Sequence, residues 1–192
     1  MKLLVALIEA VVSAYYAILY PVRLIGEENI PAGAVILCAN HISSRDPILL
    51  LLRLRRKITF MAKKELFKLK LVGAVLREAG AFPVDRGHAD LSAIRESMRI
   101  LKEGGVLGIF PQGTRSAENE RTEMHGGAAL IEQRSKAPVV PVYIDGPYRK
   151  FRRTNIYIGR PIDLSGFGTR SDGVTIGQVT GEIDGAIWAL KT

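Results

Sequence analysis

Short apolar segments alternate with longer amphipathic segments along most of this chain. The short ones are rich in aliphatic and β-branched residues and are flanked by glycine, proline or charge, which is typical of strands. The predicted strands are residues 34–39, 58–62, 81–84, 106–110, 139–144 and 155–158. The longer ones carry apolar residues three and four positions apart, which indicates helices. The predicted helices are residues 47–54, 66–79, 89–103, 127–135 and 174–190.

This alternation of strands and helices predicts an α/β sandwich in which helices cover both faces of one sheet. A length of 192 residues suits one domain with a real core, and we place that domain at residues 22–192. One predicted strand is unusual, because Pro141 interrupts residues 139–144 and lacks a backbone N–H donor. We therefore do not expect that strand to be an ordinary central one.

The first 21 residues form a separate predicted element. Residues 3–20 are apolar apart from one glutamate and one serine, and their length is at the lower edge of what spans a bilayer. A buried core helix is one interpretation. We favour a membrane-associated helix at residues 1–21 that lies in or dips into the bilayer, because a terminal segment apolar on all faces has few places to be buried in so small a domain. Three tyrosines would then lie at headgroup level: Tyr15, Tyr16 and Tyr20.

The formal net charge is +8, from 27 lysines and arginines against 19 acidic residues. An excess of this size indicates an anionic partner, which could be nucleic acid, a lipid surface or a phosphorylated substrate. Basic residues form two clusters, at positions 53–57 and 149–153. The second cluster also contains or adjoins two aromatic residues, Tyr148 and Phe151. Basic and aromatic residues together are found in nucleic-acid binders and at anionic membranes. The apolar N-terminus favours an anionic membrane surface, and we expect no nucleic-acid partner.

The sequence offers little for disulfide or metal chemistry. The single cysteine, Cys38, excludes an intramolecular disulfide and lies in an apolar segment, which favours a buried inert thiol over a nucleophile. The three histidines, His41, His88 and His125, are far apart in sequence. The glycines form neither a Walker loop nor a dinucleotide-binding fingerprint. We therefore expect no metal and no cofactor.

The turn after the strand predicted at residues 34–39 reads NHISSRDP, residues 40–47. A histidine directly after a strand end lies at the carboxyl edge, where α/β proteins place ligands. Asp46 is followed by proline, which is typical of an aspartate that caps a helix. The same carboxylate could accept from Nδ1–H of His41 and leave Nε2 free to take a proton. Taken alone, the turn is equally consistent with a capped loop and with a general base beside its orienting carboxylate.

Two further strand ends carry residues suited to an anionic ligand. The sequence FPQGTRS, residues 110–116, places Thr114, Arg115 and Ser116 after a glycine. Glycine lets the backbone approach a ligand, and a guanidinium can bind phosphate through two parallel hydrogen bonds. The sequence GAFPVDRG, residues 80–87, supplies a second arginine, Arg86.

Four segments, NHISSRDP, GAFPVDRG, FPQGTRS and VVPVYI, resemble the ordered motifs of the glycerophospholipid acyltransferases, most closely those of bacterial 1-acylglycerol-3-phosphate acyltransferases. The first fits the family's Asn-His-x-Ser-x-x-Asp pattern at every fixed position, and the four occur in the family's order between residues 38 and 144. The resemblance implies a glycerol-3-phosphate acyltransferase-like fold with a central mixed, largely parallel sheet. It also implies an enzyme at the cytoplasmic face of the cell membrane, monotopic or peripheral.

The family's reaction, carried over to the matching residues, makes His41 the general base for the free glycerol hydroxyl of lysophosphatidic acid and Asp46 its orienting partner. Acyl-CoA or an acyl carrier protein would donate the acyl group, and phosphatidic acid would be the product. No acyl-enzyme is expected, because the chain lacks a Gly-x-Ser-x-Gly elbow. Backbone N–H groups near Gly113 would stabilise the oxyanion.

The resemblance also implies a cationic and polar pocket for the acceptor and its phosphate. Its predicted members are Arg86, Arg115, Gln112, Gly113, Thr114, Ser116, Lys63 and Lys64. For the two lysines, a solvent-exposed face without a ligand is the alternative interpretation.

The sequence departs from the family pattern at two places. Gln112 stands where the family usually has glutamate, which keeps an acceptor oxygen, removes a charge and adds a donor. His125 precedes a glycine pair where the family often has lysines, so a basic contact is either missing or supplied by His125. Two alternatives stay open: an acyltransferase for another acceptor, such as glycerol 3-phosphate or another lysophospholipid, and a non-catalytic domain that binds anionic lipids.

Overall fold

The computed structural model describes residues 2–85, 90–116, 120–167 and 173–191. Within these residues, seven strands form one sheet in the order β1-β7-β6-β2-β5-β3-β4. The strands are β1 (Val22–Ile25), β2 (Val35–Ala39), β3 (Ile58–Lys63), β4 (Phe82–Val84), β5 (Val106–Ile109), β6 (Val139–Ile144) and β7 (Thr154–Ile158). All neighbouring pairs are parallel except β6 and β7. The prediction of a mixed, largely parallel sheet is confirmed.

Helices flank this sheet on both faces. They are α1 (Lys2–Leu19), α2 (Asp46–Arg53), α3 (Lys70–Glu78), α4 (Leu91–Lys102), α5 (Gly127–Ser135) and α6 (Gly173–Trp188). The central strand β2 is buried at every position, with alternate residues on opposite faces. Ile36 and Cys38 pack in a core with side chains of α4, α5 and α6. Val35 and Leu37 pack in a second core that includes Leu50 of α2.

One predicted helix is interrupted. Residues 64–68 form a 3₁₀ turn, Leu69 is extended with φ −77° and ψ 114°, and α3 begins only at Lys70. The chain folds back so closely that a Cβ added to Gly73 would lie 2.6 Å from the carbonyl oxygen of Phe67. The prediction of one helix over residues 66–79 is therefore wrong in its first turn. An amphipathic pattern does not reveal this turn, because the apolar spacing continues through it.

Parallel pairing brings five strand ends to one edge of the sheet. Strands β2, β3, β4, β5 and β6 all run in the same direction. The residues that directly follow them are Asn40, Lys64, Asp85, Phe110 and Asp145. The four motifs that sequence analysis singled out therefore all reach this edge, which is where parallel α/β sheets bind ligands.

Pro141 does not keep β6 out of the sheet interior, but it limits where that strand pairs with β7. β6 lies between β2 and β7. The carbonyl of Pro141 accepts from Gly159 N–H at 2.9 Å, which places the nitrogen of the same residue on the β7 side as well. Pairing with β7 begins only at Val142, opposite Ile158. The proline thus occupies a position where no ladder bond is required.

The N-terminal segment forms helix α1, as predicted, but the interpretation as a core helix is wrong. Large apolar side chains on it are between 49% and 65% exposed: Leu7, Val11, Tyr15 and Ile18. At the end of this segment Tyr20 is buried, and the guanidinium of Arg45 lies 4.7 Å from its ring centroid. Among the helices described, none is long and apolar enough to cross a membrane. Association of α1 with the bilayer surface stays a prediction.

Candidate active site

The site is built on a loop that is fastened to the end of β6. Asn40, which directly follows β2, donates from Nδ2 to the carbonyl of Ile144 at 3.0 Å. Its Oδ1 accepts from the N–H of the same residue at 2.7 Å. Asn40 is 1% exposed, so neither bond competes with water. The amide therefore takes the place of a further pair of ladder bonds and fixes where His41 leaves the sheet.

The carboxylate of Asp46 organises this loop. Its Oδ2 lies 2.7 Å from Nδ1 of His41 and accepts from the N–H groups of Ile42 at 2.7 Å and Ser43 at 2.8 Å. Asp46 has no exposed surface. An oxygen that accepts from two backbone N–H groups is placed to accept from Nδ1–H of the imidazole as well, which leaves Nε2 outside this contact. Three contacts on one oxygen hold both the carboxylate and the imidazole in place.

Asp46 does not cap helix α2, although the sequence pattern is typical of a capping aspartate. The N-cap residue of α2 is Arg45, and no side chain caps the helix. Asp46 begins the helix, with a proline in its first turn, but its carboxylate faces back toward the loop. That part of the prediction is wrong because the donors at Ile42 and Ser43 precede the aspartate in sequence. The carboxylate is therefore committed to the histidine loop.

Aromatic rings fix the plane of the imidazole. The ring of His41 stacks on Phe110 with centroids 4.2 Å apart, and Phe110 stacks on Phe60 at 5.4 Å. His41 is 7% exposed, and no group in the described residues forms a hydrogen bond with its Nε2. The geometry leaves Nε2 of a buried imidazole available to a substrate hydroxyl. Such a group can act as a general base.

Gln112 supports the backbone of the histidine. Its Oε1 accepts from the His41 N–H at 2.7 Å, and its Nε2 donates to Oγ1 of Thr122 at 2.9 Å. Gln112 is 3% exposed. Both ends of the amide are thus used inside the protein, and an N–H donor requires an acceptor oxygen but no negative charge. A direct contact of Gln112 with substrate stays a prediction.

The turn after Gln112 requires glycine. Gly113 has φ +66°, and an added Cβ would lie 2.8 Å from Cδ2 of His125. Its N–H donates to the carbonyl of Phe110 at 3.0 Å, and the N–H of Ser116 donates to the carbonyl of His41 at 2.8 Å. The N–H groups of Gly113 and Ser116 already donate to protein carbonyls. They are therefore poor candidates for the predicted oxyanion donors.

The two residues between Gly113 and Ser116 remain as candidates for the oxyanion donors. Thr114 and Arg115 are exposed, and their backbone N–H groups have no acceptor within the described residues. The Thr114 hydroxyl makes one long contact, 3.5 Å, with the carbonyl of Gln112. Both N–H groups and the guanidinium of Arg115 can therefore meet an anion at this edge. Ser116 is less available, because its Oγ accepts from Glu120 N–H at 3.1 Å.

The predicted lysines differ in their surroundings. Lys63 is 55% exposed and lies 3.9 Å from Glu65. Lys64 forms an ion pair with Asp85, whose carboxylate accepts from the ammonium group and raises the pKa of Lys64. Lys64 and Asp85 also line an open cleft of about 590 Å³ at the ends of β3 and β4. Arg86 lies outside the described residues, so its predicted role is not tested.

Comparisons with known proteins show which family this chain resembles. A sequence model of the family described as Acyltransferase matches residues 21–145. The 1-acyl-sn-glycerol-3-phosphate acyltransferase of Bacillus subtilis (strain 168) is 40% identical over 154 residues, which cover 76% of this chain and 76% of that protein. The protein of the same name from Streptococcus pneumoniae is 36% identical over 137 residues, covering 68% of this chain and 50% of that protein. The chain thus spans three quarters of one relative and half of the other.

A solved structure has the same fold. The crystal structure of the 1-acyl-sn-glycerophosphate (LPA) acyltransferase PlsC from Thermotoga maritima matches with a TM-score of 0.69 and 28% identity, covering 89% of this chain and 72% of that one. The family match covers well over half of the chain, and its limits include the His41 loop and the turn at Gly113. The resemblance stated from the motifs is therefore confirmed, and this chain belongs to the Acyltransferase family.

Proposed function

We propose that this chain transfers a fatty acyl group from a thioester, acyl-CoA or acyl carrier protein, to the free glycerol hydroxyl of lysophosphatidic acid, with phosphatidic acid as product. The observation that carries the proposal is the contact of 2.7 Å between Nδ1 of His41 and Oδ2 of Asp46. The printed names of the two bacterial relatives support lysophosphatidic acid as the acceptor.

The proposed chemistry uses one base and no covalent enzyme intermediate. Nε2 of His41 takes the proton of the glycerol hydroxyl as its oxygen attacks the thioester carbonyl. The tetrahedral intermediate then collapses, the C–S bond breaks, and the imidazolium returns its proton to the departing thiolate. Asp46 stabilises the imidazolium while it exists, because its carboxylate is buried and already fixed by two backbone donors.

Anion stabilisation is assigned to the turn beside the base. The N–H groups of Thr114 and Arg115 are proposed as donors to the oxyanion or to a phosphate oxygen, since both are exposed and without a protein acceptor in the described residues. The guanidinium of Arg115 is proposed to bind the acceptor phosphate. Lys64 is a further proposed phosphate ligand, which would have to exchange Asp85 for the substrate.

The acceptor is proposed to reach the site from an anionic membrane surface, at the cytoplasmic face. The loop after β6 is attached to the end of α1, because Phe151 N–H donates to the carbonyl of Leu19 at 2.8 Å. Phe151 is 69% exposed and lies among four basic residues: Arg149, Lys150, Arg152 and Arg153. Apolar and cationic groups together are what an interfacial protein presents to anionic lipid.

The test is an acyl-transfer assay with purified protein and lysophosphatidic acid, glycerol 3-phosphate and other lysophospholipids as acceptors. Each acceptor is offered with acyl-CoA and with acylated acyl carrier protein. We expect phosphatidic acid from lysophosphatidic acid at a higher kcat/KM than from any other acceptor. Binding of lysophosphatidic acid without transfer from either donor would contradict the proposal and favour a non-catalytic lipid-binding domain.

A further inference from the structure

Within the described residues, two buried polar atoms near His41 and Asp46 have no hydrogen-bond partner. The hydrogen bonds of the Asp46 carboxylate all involve Oδ2, and Oδ1 is sealed from solvent without a partner in the described residues. The hydroxyl oxygen of Tyr148 is likewise sealed and without a partner there. Buried polar groups are normally paired, because an unpaired one costs about 1–3 kcal/mol. One of these atoms is an acceptor and the other can donate, so each could supply what the other lacks.

The loop after β6 brings Tyr148 against the catalytic loop. A Cβ added to Gly146 would lie 2.0 Å from Cδ1 of Ile42, so the two loops are in direct contact at this glycine. Ile42 is also the residue whose N–H donates to Asp46. The double hydrogen bond between Asn40 and Ile144 holds the starts of both loops together. Tyr148 follows Gly146 by two residues and packs against the same apolar core as Ile42.

The phenol and the carboxylate also act on each other electrostatically. Burial raises the pKa of Tyr148 above its ordinary value, and the negative charge of the nearby Asp46 carboxylate raises it further. Arg45 lowers this pKa and Tyr16 raises it, both to a smaller extent. The phenol therefore keeps its proton at neutral pH. A hydroxyl beside a carboxylate can then act only as the donor.

We infer that Tyr148 is a positioning residue of the transfer reaction: its hydroxyl donates to Oδ1 of Asp46 and fixes the second oxygen of the carboxylate that orients His41. The inference rests on the proposed function. With Oδ2 held by two backbone amides and the imidazole, a donor at Oδ1 prevents the carboxylate from rotating about its Cβ–Cγ bond. It also disperses part of the negative charge that the imidazolium experiences.

The experiment compares Tyr148→Phe with Tyr157→Phe, a matched loss of a hydroxyl on β7. For Tyr148→Phe we expect kcat to fall on the order of 10-fold with KM for both substrates nearly unchanged. The acid limb of kcat/KM should move to higher pH by about 0.5 unit, because a carboxylate with one donor fewer holds the imidazolium form more strongly. Tyr157→Phe should leave kcat, KM and the pH limb at wild-type values.

A double-mutant cycle separates positioning from general stability. In an Asp46→Asn background, Tyr148→Phe should lower kcat by less than about twofold, because the carboxylate it serves is gone. Equal losses in both backgrounds, or a Tyr148→Phe enzyme with wild-type kcat and pH profile, would overturn the inference. A wild-type protein without transfer activity would refute the proposed function instead. The Nδ1–H proton resonance of His41 would still test the inference, since Tyr148→Phe should shift it and Tyr157→Phe should not.

Discussion

The side-chain oxygen of Gln112 accepts a hydrogen bond from the backbone N–H of His41 at 2.7 Å, from 71 residues away in sequence. Its amide nitrogen donates to the Thr122 hydroxyl. A hydroxyl can donate as well as accept. A glutamate at position 112 could therefore make both contacts if the Thr122 hydroxyl reversed its role, which reconciles this chain with the family pattern.

The first prediction concerns this amide. Gln112→Glu should keep kcat within about threefold of wild type, because both hydrogen bonds can be kept. Gln112→Met has a similar size but no acceptor, and it leaves the His41 N–H buried and unpaired. We expect it to lower the free energy of unfolding by about 1–3 kcal/mol and kcat by more than the glutamate variant does. Urea unfolding and acyl-transfer assays on the two variants measure this, and equal effects of both substitutions would refute the scaffolding role.

The second prediction concerns phosphate recognition. Arg115→Ala should raise KM for lysophosphatidic acid about 10-fold or more and leave KM for the acyl donor nearly unchanged, because only the acceptor would lose a charge-assisted pair of hydrogen bonds. Arg134→Ala is the control, since Arg134 is exposed at the C-terminal end of α5, just before the opposite edge of the sheet. If KM for donor and acceptor rise equally, Arg115 is not the phosphate ligand.

The third prediction concerns the turn at Gly113. Gly113→Ala should lower the free energy of unfolding by about 1–2 kcal/mol, because its φ of +66° is unfavourable for an L side chain and the new methyl group meets His125. Gly127→Ala is a matched control at the start of α5, where an added Cβ meets nothing within 4 Å. It should be neutral or stabilising. Thermal unfolding of both variants measures this difference in stability. A Gly113→Ala protein as stable as wild type would mean that the backbone of this turn is not constrained.

The fourth prediction concerns pH. Burial raises the pKa of the Cys38 thiol from 9.0 to about 12. The unfolded chain therefore ionises this thiol at lower pH than the folded protein does, and stability falls as pH rises from about 9 toward 12. Cys38→Ala should lose less stability over that interval than wild type. At pH 8 the native thiol should not react with a thiol-specific disulfide reagent until the protein is unfolded, and rapid native labelling would contradict its burial.

Local patterns predicted much of the fold and the core of the site. The strand at Val139–Ile144 and the helix at Gly127–Ser135 were predicted with the bounds that the structure has. His41 and Asp46 could be paired from sequence because they are five positions apart and both lie in one turn after a strand. These features depend on apolar periodicity and short-range geometry, which a sequence displays directly.

Other features depend on contacts between distant residues and had no local signal. β1, Val22–Ile25, is short and interrupted by an arginine, and it becomes a strand by pairing with β7 at the sheet edge. The structural role of Gln112 needs β5 to lie beside β2. Tyr148 looked like one aromatic residue in a basic segment, and only the parallel pairing of β6 with β2 brings it to Asp46. Searching every strand end at the carboxyl edge would have identified it as a candidate.

The activity of His41→Asn tests the central claim most directly. The asparagine amide can still donate to Oδ2 of Asp46, so the loop keeps its hydrogen bond, but no nitrogen is left to take a proton. The account predicts that kcat for acyl transfer to lysophosphatidic acid falls by about 10²–10⁴-fold while lysophosphatidic acid binds as it does to wild type. A His41→Asn protein that transfers acyl groups at close to the wild-type rate would contradict the account.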